Sequence, residues 1–288
     1  MTDDLDTLLT ALYVKIDDEL AGLRPTGRPP QLTDAELVCL AVAQALLGYH
    51  QEARWLRFAR AHLRGMFPYL PGRPDYTKRL RAAVPLVKRI IRLLARDRDF
   101  WCDPVWITDS TPVPCGMSRP TVKRLNLAGW ANYGYCACPH RFFWGLRLYL
   151  VCTPAGMPIL WALADPKLGE REVLAAMLQV DAELIKERRG LLLISDKGFA
   201  SKTFEQSLSE AGITLLRAGE PMLKKVRQLI ESVNDTLKGQ RDLEQHGGRT
   251  CEDVAVRVAQ RVLALAAAIW HNFHTGQAVA RSLTAYDH

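Results

Sequence analysis

The sequence predicts an α/β protein: a mixed five-stranded sheet flanked by helices, preceded by an all-helical basic module. Three observations predict it. The first hundred of the 288 residues carry only helical periodicity. From Phe100 onward, short β-branched and apolar runs bounded by turn residues appear. Those runs come as three close together and then two separated by helical segments, the order βββαβαβα. Such an order makes antiparallel strands followed by helix-linked parallel ones.

The helical part begins with residues 4–23, where Leu5, Leu8, Leu12, Ile16, Leu20 and Leu23 keep helical spacing. Arg24 to Pro30 is rich in proline and glycine and ends that helix. Thr33-Asp-Ala-Glu36 reads as a capping box opening a helix over 37–47, closed by Gly48. Residues 51–64 form a short helix with Trp55 and Phe58 on one side and arginines on the other. Residues 75–98 form another, kinked at Pro85.

Val105-Trp-Ile-Thr108 then reads as a buried strand ending at Asp109. Residues 112–139, with four prolines, read as a long irregular loop. Phe142 to Cys152 and Pro158 to Leu163 form a hairpin around Pro154-Ala-Gly156. A helix over 170–189 leads to Leu191-Leu-Leu-Ile-Ser195, a continuous apolar run typical of a strand buried on both faces, which ends at Asp196. Helices over 201–211, 222–238 and 251–274 and a strand over 213–216 complete the chain.

Charge narrows the partner. The formal net charge is +7, yet Arg54 to Arg98 alone holds 13 Lys/Arg against Asp75 and Asp97. Such a block favours a polyanion, and Arg57, Arg60 and Arg64 are its candidate DNA contacts. The alternative is a solvated face of a basic protein. Seven cysteines at irregular spacing and an acidic N-terminus without secretory character point to free thiols in a reducing cytoplasm. No apolar run reaches the roughly 18 residues of a membrane span. Cys136-x-Cys138-x-His140 is too tightly spaced for the usual zinc pair. Trp130 and Tyr133 in the long loop read as packing residues, although each ring could stack on an unpaired base.

Candidate chemistry rests on acids. Asp109 and Asp196 each end a buried strand, where ligands of open sheets bind. If the two strands are neighbours, the carboxylates can share Mg²⁺ or Mn²⁺. Glu231 shares one helical face with Arg227 and Lys238, at i, i+4 and i+11, so an acid able to bind metal stands between two cations suited to phosphates. A surface helix laced with ion pairs is the alternative, and Asp235 is the nearest substitute acid.

In order along the chain, Ile107-Thr-Asp-Ser-Thr-Pro-Val113, Asp196-Lys-Gly-Phe199 and Arg227-x3-Glu231-x6-Lys238 resemble the three motifs of bacterial insertion-sequence transposases of the DDE type. Lys224 stands where that family's third motif has tyrosine. Leu32-Thr-Asp-Ala-Glu-Leu37 and Phe67-Pro68 are similar to the first part of one branch of these elements. The resemblance implies an RNase H-like core over 101–280, behind a DNA-binding domain over 1–100 and before a tail over 281–288. It implies Asp109, Asp196 and Glu231 as ligands of two Mg²⁺ or Mn²⁺ ions. It further implies phosphodiester cleavage at element ends and joining of the 3′-hydroxyl to target DNA, by a homodimer acting on double-stranded DNA at the nucleoid in the cytoplasm. Rival readings are a metal-dependent nuclease that cuts without joining and a helix-turn-helix regulator built on helices 33–47 and 51–64.

Overall fold

The computed structural model describes residues 3–22, 30–97, 99–116, 118–136, 141–199, 201–217 and 224–278, with side chains for all of these but 3, 99, 197, 217 and 224–227. They form two compact units, Met1–Leu94 with Gly239–Gly248 and Glu252–His288, and Ala95–Lys238 with Arg249–Cys251. Sequence reading draws one boundary near residue 100 and groups everything to residue 280 with the sheet. By contact density the last long helix belongs instead with the N-terminal helices.

The helical unit holds α1 (Asp3–Leu20), α2 (Asp34–Leu46), α3 (Glu52–His62), α4 (Arg73–Ala82), α5 (Val84–Arg96) and α11 (Cys251–His274). The capping box at α2 forms as expected, with Glu36 N–H on Thr33 Oγ1 and Thr33 N–H on Glu36 Oε2. The helix expected over 75–98 is not kinked but broken at Ala83. Pro85 lacks an N–H and its ring clashes with the carbonyl four residues earlier, so a new helix starts with proline in its first turn.

The core of this unit is α11. It is long and apolar enough by composition to cross a membrane, yet 94% of its most apolar window is buried among protein. A polar chain threads that core. Tyr76 Oη and Gln260 Nε2 both donate to Gln44 Oε1, Arg257 Nη1 donates to Gln260 Oε1, and Arg257 Nη2 pairs with Glu52. All five side chains are largely buried, and each link satisfies a group that would otherwise be costly to hold away from water. Burial pushes the Arg257 and Arg261 guanidinium groups down to about 10, both still charged at neutral pH.

The second unit is a mixed α/β layer of six strands: β1 (Val105–Gly116), β2 (Asn132–Cys136), β3 (Arg141–Cys152), β4 (Pro158–Ala164), β5 (Leu191–Ser195) and β6 (Ile213–Arg217). The order is β2-β3-β1-β5-β6, with β4 also on β3. β1, β2, β3 and β4 pair antiparallel, whereas β1, β5 and β6 run parallel. α7 (Glu170–Val180) packs on β4 and α9 (Lys202–Glu210) on β6. The helix expected over 170–189 breaks at Asp181, and the short α8 (Ala182–Lys186) follows.

The sixth strand corrects the expectation of five. Residues expected to be irregular from 112 onward continue β1 to Gly116, then form α6 (Arg119–Arg124) and β2. Pro112 and Pro114 stand two residues apart, so their nitrogens face the same edge of β1. Beyond Ile107 only the edge away from β3 lacks a strand partner, which is where proline's missing donor is tolerated. β2 joins as an edge strand by pairing Asn132–Cys136 with Gly145–Arg141.

The thiols follow this packing. Cys39 and Cys152 are buried, and burial pushes the Cys39 thiol well above its ordinary range, whereas Cys102 is exposed. Titration of the native protein with a thiol-reactive dye is expected to label Cys102 at once, and Cys39 and Cys152 only on unfolding. Prompt native labelling of Cys39, read by peptide mapping, would contradict the packing of α2.

Candidate active site

Parallel pairing of β1 with β5 puts two acids side by side. Val105, Trp106 and Ile107 stand opposite Leu192, Leu193 and Ile194. Asp109 and Asp196 each follow the last pair by two residues, Asp109 within β1 and Asp196 just past the end of β5. β5 stops at Ser195, and its place is taken by a tight turn, Lys197–Phe199. Phe199 is fully buried and pins that turn. Gly198 N–H donates to Asp196 Oδ1 at 2.8 Å.

A Cβ at Gly198 would lie 2.6 Å from Glu170 Oε2 and 3.0 Å from Asp196 Oδ1. Two carboxylate oxygens therefore close on one point, and no side chain fits between them. Glu170, in the first turn of α7, is an acid that sequence reading missed. Its Oε1 accepts from Ser110 Oγ at 2.9 Å and from Arg147 Nη1 at 2.9 Å. Arg147 on β3 also donates to Ser110 Oγ and to the Tyr135 carbonyl. Glu170 thus links β1 to β3, with its Oε2 close to Gly198 of the Asp196 turn, and Arg147 offsets its charge. Tyr149, opposite Ser110 on β3, is a neutral phenol: burial pushes it up to about 12, with Arg147 and Glu170 opposing each other.

Asp109 is half-buried. Its Oδ1 accepts from Ser110 N–H at 2.8 Å and its Oδ2 from Asn234 Nδ2 at 2.9 Å. Asn234 lies on α10 (Lys224–Gly239), whose apolar side buries Ile230, Val233 and Leu237. Glu231 and Lys238 flank Asn234 at i−3 and i+4, so the face of α10 that meets Asp109 also carries both. Glu231 is exposed and Lys238 half-buried. The Arg227 backbone continues that helix one turn earlier, and its side chain lies outside the described residues. Asp235, the substitute acid, is exposed. It is one residue past Asn234, so it points off that face.

Among the described residues no three His, Cys, Asp or Glu side chains converge as a ready-made metal cage. The donors nonetheless fit a hard divalent cation. All are carboxylates, and Asn234, 5% exposed, has an Oδ1 without a hydrogen-bond partner among the described residues. A buried acceptor left over beside a carboxylate is a group a cation would satisfy.

Gly198→Ala tests the geometry. The clash is with the ends of side chains, so stability should change by about 1 kcal/mol or less, while Glu170 and Asp196 are pushed apart. Divalent-metal affinity, measured by calorimetry, is expected to fall roughly 10–100-fold, as for loss of a supporting contact. Unchanged affinity would mean that these two carboxylates do not act together.

In the helical unit, Arg57, Arg60 and Arg64 are exposed on and just after α3, whose other side buries Trp55, Leu56 and Ala59. The basic block is less uniform than its composition. Arg79, Arg81, Arg89 and Arg96 are ion-paired with Asp34, Asp253, Glu19 and Glu187. Arg54, Arg57 and Arg64 make no ion pair among the described residues, and Arg60 donates to the Pro71 carbonyl at 2.7 Å. Unmatched charge therefore lies on and just after α3, with Arg73 and Lys78 of α4 also without an ion pair among the described residues. Compared with known proteins, the chain matches no protein-family model, and no curated protein or solved structure resembles it at a significant level.

Proposed function

We propose that this chain is a DNA transposase of the DDE type, with an RNase H-like core in the sheet unit. The observation that carries the reading is the meeting of three motifs. Asp109 and Asp196 each follow the last β1–β5 pair by two residues, and the helix bearing Glu231 and Lys238 reaches Asp109 through Asn234. The sheet order, with three antiparallel strands followed by two parallel ones at the β1 side, also agrees with that core.

On this reading Asp109, Asp196 and Glu231 hold Mg²⁺ or Mn²⁺, as two ions. When bound, such ions make the attacking oxygen nucleophilic and offset charge on the leaving oxygen of an in-line displacement. Asn234 and Ser110 hold the Asp109 carboxylate in place, and the Gly198 N–H holds that of Asp196. Arg227 and Lys238 contact phosphates on either side of the reacting bond. The exposed arginines of α3 bind the double-stranded DNA of the element's ends, and two copies acting on two ends make a homodimer. The working location is the cytoplasm, at the nucleoid.

The test uses duplexes taken from the DNA that flanks the protein's own coding sequence, incubated with Mg²⁺ and a target plasmid. Nicked ends and joined products are expected. Nicking without joining supports a nuclease, and binding without nicking supports a regulator. Charge reversal of Arg57, Arg60 and Arg64 should abolish end binding, and retained specific binding would overturn the role of α3.

A further inference from the structure

We propose that the outward face of the β2–β3 hairpin is a stacking platform for unpaired bases of single-stranded DNA. The proposal rests on the DNA reading above for its choice of ligand, and its geometry is independent of the carboxylate site. In an antiparallel pair, residues directly opposite share a face. Tyr133 stands opposite Trp144, and Tyr135 opposite Phe142, so four aromatic rings line one face of a two-stranded ribbon. Three are left in solvent: Tyr133 is 57%, Tyr135 46% and Phe142 78% exposed. Tyr135 and Phe142 are in ring contact at 5.1 Å between centroids.

The hairpin also packs through its other face: a Cβ at Gly134 would lie 2.6 Å from the Phe143 ring and 2.7 Å from Pro166, so the strand is pressed against them from behind. Exposed rings in a contiguous patch mark a binding surface, and planar faces held on a rigid ribbon suit bases, each of which has a π-face.

Charge selects the occupant. From Ser110 to Ala164 the chain has no Asp or Glu and five Lys/Arg. Arg147 is committed to Glu170, and Arg119, Lys123 and Arg124 carry further positive charge in the same segment. Arg119 and Arg141 line a cleft of about 400 Å³ together with Tyr133, Phe142 and Trp144. That volume is in the range of small-ligand sites, roughly 300–1,000 Å³. Asp165, an acid beside β2, accepts from Asn132 Nδ2. Aromatic faces with cations at their rim match a strand whose bases are unpaired and whose backbone is anionic. An apolar protein partner would gain nothing from that charge.

The test is fluorescence anisotropy of labelled oligo(dT) of about 20 nucleotides, longer than the roughly 4–16 nucleotides that one site of this kind covers. Full-length protein is used in EDTA, where metal-dependent cleavage is blocked. The intact protein is expected to bind. Tyr133→Ala with Phe142→Ala should weaken that binding about ten- to a hundredfold. Phe142→Trp should retain it, and duplex affinity should change by less than about twofold in both variants. Absence of oligo(dT) binding, or equal binding by the double alanine variant, overturns the proposal. So does a change in oligomeric state on light scattering with oligo(dT) affinity unaltered, which would make the face a contact between copies. Because cleavage plays no part, a nuclease test that fails leaves this result standing, and the converse also holds.

Discussion

Asp109→Asn and Asp196→Asn are each expected to lower strand cleavage by 10²–10³-fold or more, the scale on which removing one stabilising group of a reacting site acts. Neither change should unfold the protein. Asp109 and Asp196 each follow the last β1–β5 pair by two residues, with Glu170 close to the second, so like charges repel and removing one relieves that repulsion. The expected signature is an apparent Tm equal to or above that of the unaltered protein without metal. Mn²⁺ should raise the Tm of the unaltered protein by mass action and should not raise that of either variant. Glu231→Gln is expected to lose cleavage by a similar factor, with a smaller effect on Tm because Glu231 is exposed. Cleavage that survives Asp109→Asn would remove the carboxylate site from the mechanism.

The second large effect concerns the helical unit. Glu52→Gln leaves the Arg257 guanidinium, only 8% exposed, without its anion in the protein core. Breaking a buried pair from one side typically costs about 3–5 kcal/mol, because the surviving charge stays desolvated. For a chain of this size the apparent Tm should fall by about 10 °C. Replacing both partners, Glu52→Leu with Arg257→Met, should recover part of that loss: an apolar pair of similar volume carries no charge to desolvate, while buried Gln260 Oε1 loses its donor. Chemical denaturation of the three proteins checks it. A single variant as stable as the unaltered protein would mean that α11 is not held to α3 through this pair.

Which parts of the site are legible in the residues depends on how local their cause is. Asp109 and Asp196 are visible because each follows an apolar run; Asp196 does lie just past the end of β5, whereas β1 does not end at Asp109 as expected but continues through it to Gly116. Glu231 is visible through its spacing from Arg227 and Lys238 on one helix. Glu170 is not. Its partners Ser110 and Arg147 lie 60 and 23 residues away, and its nearness to Gly198 depends on how α7 packs. Asn234 is likewise hidden: in a list of residues it is one more polar position on an amphipathic helix. The strand β2 escapes because Asn-Tyr-Gly-Tyr-Cys is too short to show a period, and its stability comes from pairing with β3.

Local propensity alone therefore determines where most helices and strands lie, where the α2 cap falls, and that acids follow the apolar runs of β1 and β5. Those properties arise from neighbours within a few residues of one another. Tertiary structure alone decides that β1 pairs with β5 at a register that puts Asp109 and Asp196 each two residues past the last pair, and that α11 is a protein core. It also decides that four arginines of the basic block are neutralised by acids far along the chain. Each of these depends on segments distant in sequence meeting in space, and the free energy that selects the meeting resides in packing and desolvation, not in the residues of either segment taken singly.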